Sequence, residues 1–222
     1  MAGYKIVEKF LSINGEGRRA GELACFIRFA GCNLSCGYCD TKWANDRNAA
    51  YELLDENQIL EYIRTTGAVN VTLTGGEPLI QKDIEVLLRC WSQEGGLNIE
   101  IETNGAVALG KYMDISDVVT FTMDYKLPGS GMEDRMCLSN MDILREKDTV
   151  KFVISDYQDM EKAVHIVKKY KLDERLMVFF SSSFLDIEPK EIVEYMMKEK
   201  LNRVRLQLQL HKYIWAPDQK GV

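Results

Sequence analysis

Apolar residues recur along this chain in two alternating rhythms. Short runs rich in β-branched and aromatic residues read as strands at 22–30 (ELACFIRFA), 69–74 (VNVTLT), 97–103 (LNIEIET), 117–124 (DVVTFTMD), 149–155 (TVKFVIS), 175–180 (RLMVFF) and 203–210 (RVRLQLQL). Between several of them lie stretches with apolar positions three and four apart, as helices show. DENQILEYIRTT opens with Asp55 and Gln58 at capping-box spacing, SDYQDMEKAVHIVKKY follows the fifth run, and EPKEIVEYMMKEK carries Pro189 where a first helical turn tolerates it.

Strand, helix, strand at this spacing predicts an α/β fold, with parallel strands joined by right-handed crossovers into a whole or partial barrel or a doubly wound sheet. In either arrangement ligands sit at the carboxyl ends of the strands. The unusual segments fall there: GCNLSCGYCDT after the first run, TGGEP after the second, TNG at the end of the third, DYKLPGSG after the fourth, and His211 after the last. There is no internal repeat, low-complexity run or linker rich in Pro, Gly or Ser, so residues 1–222 are expected to form one domain.

Composition narrows the class. The 222 residues are 46% hydrophobic and 28% charged, and no apolar run reaches the roughly 20 residues needed to cross a bilayer. The first residues, MAGYKIVEKF, lack the apolar core of a secretory signal, so a cytoplasmic location is expected, with no membrane partner. The formal net charge of -6 gives no global field to attract phosphate backbones, which speaks against nucleic acid as a partner. Six cysteines in a reducing compartment argue against a disulfide framework, and Cys25, Cys90 and Cys137 read as small buried thiols.

That leaves Cys32, Cys36 and Cys39, spaced C-x3-C-x2-C. A structural zinc site wants four ligands, and the chain offers only His165, inside an apparent helix, and His211 near the end. A redox pair of Cys36 and Cys39 would leave Cys32 without a role. An iron-sulfur cluster in an electron carrier takes four cysteines. Three cysteines on a 4Fe-4S cube leave the fourth iron open, which makes the cluster a binding site as well as an electron source.

The motif CNLSCGYC, with Tyr38 before the last cysteine, resembles the radical S-adenosylmethionine (SAM) superfamily, and TGGEP, whose Thr74 lies 35 residues after Cys39, resembles its methionine-binding glycine motif. The resemblance implies a partial (βα) barrel of the radical SAM type. It also implies that SAM chelates the open iron of a cluster held by Cys32, Cys36 and Cys39, and that one electron then splits it to give a hydrogen-abstracting radical. SAM contacts are implied for Tyr38, Asp40, Gly75, Gly76, Glu77, Lys126 and Ser181.

The segments FLSINGEGRRAGELACFIRFAGCNLSCGYCDT, TGGEPLIQ, ETNGA and LQLQLHKYIWAPDQKGV together resemble the 7-carboxy-7-deazaguanine synthases, over most of the chain and most weakly from about 132 to 200. That family converts 6-carboxy-5,6,7,8-tetrahydropterin to 7-carboxy-7-deazaguanine in the route to queuosine. The implied chemistry is hydrogen abstraction at C6 of the pterin, magnesium-assisted ring contraction with loss of ammonia, and return of the hydrogen to regenerate SAM. The resemblance implies substrate contacts from Asn14, Gly15, Glu16, Arg28, Thr74 and His211, and a Mg2+ ligand at Thr41. An N-terminal substrate loop, a C-terminal tail near the active site, a homodimer and a flavodoxin-like electron donor are implied as well.

Three departures from the family pattern stand out. Asn14 replaces a frequent glutamine, DYK replaces the usual Ser-Pro-Lys, and FFSSSF stands where a Gln-Pro pair is common. Two other readings compete. An activase that installs a glycyl radical on a partner enzyme, such as the activator of anaerobic ribonucleotide reductase, would share the cluster motif. A non-enzymatic zinc- or cluster-bearing module would share the cysteines alone.

Overall fold

The computed structural model describes residues 3–184 and 186–222. Among the described residues nine strands form one sheet in the order β3-β1-β2-β4-β5-β6-β7-β8-β9. These are β1 (Tyr4–Ile13), β2 (Leu23–Phe29), β3 (Glu52–Leu54), β4 (Asn70–Gly75), β5 (Asn98–Thr103), β6 (Val119–Tyr125), β7 (Thr149–Ile154), β8 (Met177–Ser182) and β9 (Val204–Gln207). The helices are α1 (Lys42–Asn45), α2 (Glu56–Thr66), α3 (Ile84–Ser92), α4 (Asn140–Ile143), α5 (Tyr157–Tyr170), α6 (Leu172–Arg175), α7 (Pro189–Glu199) and α8 (His211–Ile214). From β2 through β9 every neighbouring pair is parallel, so all seven strands expected from the sequence belong to the parallel part. β1 pairs antiparallel with both β2 and β3 at one edge.

The helix ends follow from local chemistry. The Asp55 carboxylate accepts hydrogen bonds from the Asn57 and Gln58 amides, and the Gln58 side chain accepts from the Asp55 amide, which closes the expected capping box of α2. Asp156 caps α5, and Pro189 occupies the first turn of α7, where its missing N–H leaves no helical bond unmade.

The sheet curves. Leu210 donates its amide to the Gly15 carbonyl at 3.0 Å, although β1 and β9 stand seven strand positions apart. Flat strands spaced about 4.8 Å apart would separate them by about 34 Å, whereas the few residues beyond the strand ends span at most about 17 Å. Only a strongly curved sheet brings them together. β3 and β9 stay unpaired with each other, so the barrel is partial, and the segments after β1 and β9 bridge its gap.

Period-two alternation divides the two faces. Val71, Leu73, Ile99, Ile101, Phe121, Met123, Val150, Phe152 and Phe180 are buried on the convex face with Ile63 of α2, Leu87 and Trp91 of α3, Val167 of α5 and Ile192 of α7. Their neighbours Thr72, Thr74, Glu100, Glu102, Thr122, Asp124 and Lys151 point inward and give the concave face a polar lining. Among the described residues no helix is long and apolar enough to cross a membrane.

Candidate functional site

The carboxyl ends of the parallel strands surround a cavity of about 880 Å³, near the top of the range for small-molecule sites. Of the residues singled out in the sequence, Gly15, Glu16, Arg28, Cys32, Cys36, Tyr38, Cys39, Asp40, Thr41, Thr74, Gly75, Gly76, Lys126 and His211 line it. Asn14, Glu77 and Ser181 do not.

The cluster loop leaves β2 at Phe29 and is fastened by backbone bonds rather than regular structure. Gly37 donates to the Ser130 carbonyl at 3.0 Å, and Glu77 donates to the Gly31 carbonyl at 3.0 Å. Cys32 Sγ accepts from the Leu34 amide at 3.4 Å and from Asn104 Nδ2 at 3.5 Å, while Cys39 Sγ lies 3.7 Å from Thr41 Oγ1. Burial raises the pKa of Cys32. Burial likewise raises that of Cys36, against the pull of the Lys126 ammonium. Among the described residues no three His, Cys, Asp or Glu side chains converge on a single point as ligands of one metal ion must. His165, the other conceivable zinc ligand, is exposed on α5.

Beside the cysteines, β4 ends in a ledge without side chains. Gly75 has φ +130°, and a Cβ there would overlap the Phe29 carbonyl and amide; one on Gly76 would overlap the Gly31 carbonyl and Asn45 Oδ1. Strand and cluster loop therefore touch backbone to backbone. Tyr38 lies against β7, its hydroxyl 3.5 Å from the Val153 carbonyl oxygen, with Lys126 Nζ 5.9 Å above its ring.

Glu77, one of the implied SAM contacts, has its side chain wholly buried below the ledge. Its carboxylate accepts from the Leu79 amide (3.0 Å), Thr103 Oγ1 (2.9 Å) and the Asn104 amide (2.7 Å), so it ties the end of β4 to the end of β5. Burial raises its pKa, opposed by these three donors. Asn104, unmarked in the sequence beyond its place in TNG, carries the tie onward through Nδ2 to Asn33 Oδ1 at 2.8 Å and to Cys32.

Asn14 and Ser181 likewise stand outside the cavity lining. Asn14 is buried, with Oδ1 accepting from Thr72 Oγ1 at 2.8 Å, because the shorter side chain seats against β4 instead of reaching the cavity. Ser181 is buried on β8 and its hydroxyl lies 3.3 Å from Glu16 Oε1; Ser182 and Ser183 line the cavity beside it.

Starting beside Cys36, a set of alternating charges runs along the cavity. Glu16 Oε2 lies 3.0 Å from Lys151 Nζ, Lys151 lies 3.8 Å from Asp124 Oδ2, and that same oxygen holds Lys126 Nζ at 2.8 Å. Burial works to raise the Glu16 pKa, but Lys151 outweighs it and holds the group down as a carboxylate. Burial works to lower the pKa of Lys151, yet Glu16, Asp124 and Glu102 prevail and raise it. Arg28 is tethered through Nε to Glu8 Oε2 on β1 at 2.9 Å, and both line the cavity. Thr74 donates to Glu102 Oε2 at 2.6 Å. His211 packs on Gly15, where a Cβ would overlap Nδ1, and burial lowers its pKa, keeping the imidazole neutral near pH 7. The tail lines the cavity from Pro217 to Val222, with Lys220 Nζ 4.0 Å above the Trp43 ring.

Glu100 sits deeper on β5, 6% exposed, beside Thr122, Glu102, Arg19, Lys151 and the backbone of Gly17. Burial, reinforced by Glu102 and opposed by Thr122, lifts its pKa from 4.5 to about 7. The folded state thus binds a proton that the unfolded chain has released, and stability falls as pH climbs between those values and then levels. Glu100→Gln is expected to remove this slope and to raise stability at pH 8 by about 2 kcal/mol. Chemical denaturation of both proteins at pH 5 and pH 8 checks it; an unchanged slope refutes it.

Comparison with known proteins agrees with this geometry. Residues 26–125 match the radical SAM superfamily. The chain is 51% identical over 219 residues to the 7-carboxy-7-deazaguanine synthase of Clostridium acetobutylicum, covering 99% of each protein. It is 38% identical to that of Leptospira interrogans, over 97% of this chain and 96% of the other. The crystal structure of QueE from Escherichia coli superposes with a TM-score of 0.72 at 21% identity, over 92% of this chain and 94% of that one, which identifies the shared fold. With half of its residues matched from end to end in such a relative, the chain belongs to the 7-carboxy-7-deazaguanine synthase family of radical SAM enzymes.

Proposed function

We propose that this chain converts 6-carboxy-5,6,7,8-tetrahydropterin to 7-carboxy-7-deazaguanine with release of ammonia, on the route to queuosine. One juxtaposition carries the reading: three thiols and a bare glycine ledge line the same cavity as Glu16, Arg28 and His211. Full-length identity to a relative named for this reaction supports the substrate.

The donor set fits the cofactors of the superfamily. A 4Fe-4S cube takes one thiolate at each of three corners, a donor set that Cys32, Cys36 and Cys39 can supply from one loop lining the cavity. The ledge at Gly75 and Gly76 offers backbone to a small molecule beside them, as SAM requires. When bound, the reduced cluster and SAM supply an electron and a carbon radical able to abstract hydrogen.

The chain's own residues orient and shield that chemistry. Tyr38, Asp40 and Lys126 flank the space next to the ledge and are assigned to SAM. Glu16, held as a carboxylate, suits the N–H edge of a pterin, and the Gly15 backbone lies beside it. Arg28 keeps its terminal nitrogens for the substrate carboxylate while Nε is held by Glu8. Thr74 and the neutral imidazole of His211 complete the pocket. The Thr41 hydroxyl is a hard oxygen donor suited to Mg2+ together with the substrate's own oxygens. The tail excludes water from the mouth.

One continuous sheet supports reading residues 1–222 as a single radical SAM domain. A cytoplasmic homodimer reduced by a flavodoxin-like donor completes the proposal, supported by resemblance to the family. Anaerobic incubation of the reconstituted protein with SAM, reductant, Mg2+ and 6-carboxytetrahydropterin, read by mass spectrometry, is expected to yield 7-carboxy-7-deazaguanine. Cleavage of SAM with the pterin returned unchanged would preserve the radical chemistry and sink the substrate assignment.

A further inference from the structure

The geometry points to Lys151 as the positioning residue that holds Glu16 in place for the pterin; this rests on the substrate role given to Glu16 above. Lys151 lies in the middle of β7, flanked in sequence by Val150 and Phe152, which are buried on the convex face, so its own side chain points into the cavity. Glu16 belongs to the loop after β1, a strand separated from β7 by four others in the sheet, and no regular structure fixes that loop. Its side chain is held from β7 by Lys151 Nζ at 3.0 Å and from β8 by the Ser181 hydroxyl at 3.3 Å.

Of these two partners only Lys151 is charged. A buried carboxylate without a cation would take a proton or turn toward water, and either change replaces an acceptor on the substrate edge by something else. Lys151 is itself held from the far side. Asp124 Oδ2 stands 3.8 Å from Nζ and also binds Lys126 at 2.8 Å, so the ammonium is confined between the Asp124 carboxylate on β6 and the Glu16 carboxylate of the loop after β1. An ammonium confined in this way keeps Glu16 at one distance from the floor of the cavity. The loop's other ties hold it at neighbouring residues, through Thr72 to Asn14, Leu210 to the Gly15 carbonyl and Gln207 to the Gly17 carbonyl, whereas Lys151 and Ser181 hold the Glu16 side chain itself.

Equilibrium binding of 6-carboxytetrahydropterin to the SAM-loaded, cluster-reconstituted protein tests this without turnover. Lys151→Met is expected to weaken pterin binding by roughly 10- to 100-fold, the span associated with losing one charge-assisted hydrogen bond. Lys151→Arg, which keeps the charge, is expected to recover most of the affinity. In the Glu16→Gln background Lys151→Met is expected to add little, since its target is gone. In turnover the loss is expected in KM far more than in kcat, and circular dichroism melting identifies any variant that binds weakly because it has unfolded. If Lys151→Met does not fold, Lys151→Gln carries the same comparison.

Wild-type binding by a folded Lys151 variant that lacks the charge would overturn the proposal. So would an equal loss with and without Glu16, which would show that Lys151 acts on the ligand independently. Wild-type binding by Glu16→Gln is a separate outcome: it removes the substrate role of Glu16, and the positioning role falls with it.

Discussion

Gly76→Ala is expected to lower product formation at least 100-fold. The new methyl group would overlap the Gly31 carbonyl, which as backbone cannot swing aside, and Asn45 Oδ1, a side-chain end that can. The Gly31 carbonyl already accepts from the Glu77 amide at 3.0 Å, and Gly76 itself donates to the Phe29 carbonyl at 3.2 Å. Relief therefore requires the cluster loop to move as a body away from β4. Overpacking of this kind costs about 1–3 kcal/mol in stability. The catalytic loss is larger because a misplacement of about 1 Å among reacting groups is enough for about 100-fold in rate. The anaerobic product assay measures the rate, and the iron content of the reconstituted variant shows whether the thiols still hold a cluster. A variant with full activity would mean that the ledge is not where the ligand and the loop meet.

Glu77→Gln is expected to be the most destabilising conservative change at the rim, by about 4 kcal/mol. Both carboxylate oxygens are occupied by donors, two of them backbone amides that cannot turn away. An amide side chain offers one acceptor and presents N–H groups to the remaining donors. Each hydrogen bond to a charged group contributes about 1.5–3 kcal/mol, and a buried donor left unmatched costs about 1–3 kcal/mol. Denaturant titration measures the loss. Because Asn104 stands between Glu77 and the cluster loop, the same variant is expected to incorporate less iron even where it remains folded. Equal stability with normal iron content would remove Glu77 from both roles.

What the sequence revealed depended on how local each signal was. The parallel strands carry their pattern within six or seven residues, and the caps of α2 and α7 lie within a single turn, so both were legible. β1 was not, because Ile6 pairs with Phe29 and Glu8 with Arg28, and the extra residue between them breaks the alternation. β3 has only three residues at an edge. The cysteines and glycines announce themselves by spacing, but burial decides the rest. Glu77 sits inside a ligand motif by position and under it in space. Lys151 and Glu16 are 135 residues apart and meet only in the folded chain. The available clue to Lys151 was a lysine at an inward position of TVKFVI, in step with the threonines and carboxylates that occupy inward positions on the preceding strands.

The extra residue in β1 also governs how the chain tolerates changes in length. On its N-terminal side Tyr4 and Ile6 are buried and paired with β3; on its C-terminal side Glu8 lies opposite Arg28 in the cavity. Deleting Val7 would leave Ile6 opposite Phe29 and Glu8 opposite Arg28 in unbroken alternation. Deleting Lys5 or Lys9 from a regularly paired half would instead make the strand beyond the gap rotate by a residue and exchange its two faces, so that the aromatic anchor leaves the core or the cavity end of the strand turns away. Length is therefore a constrained property along this edge, and Val7 is the place where it can give.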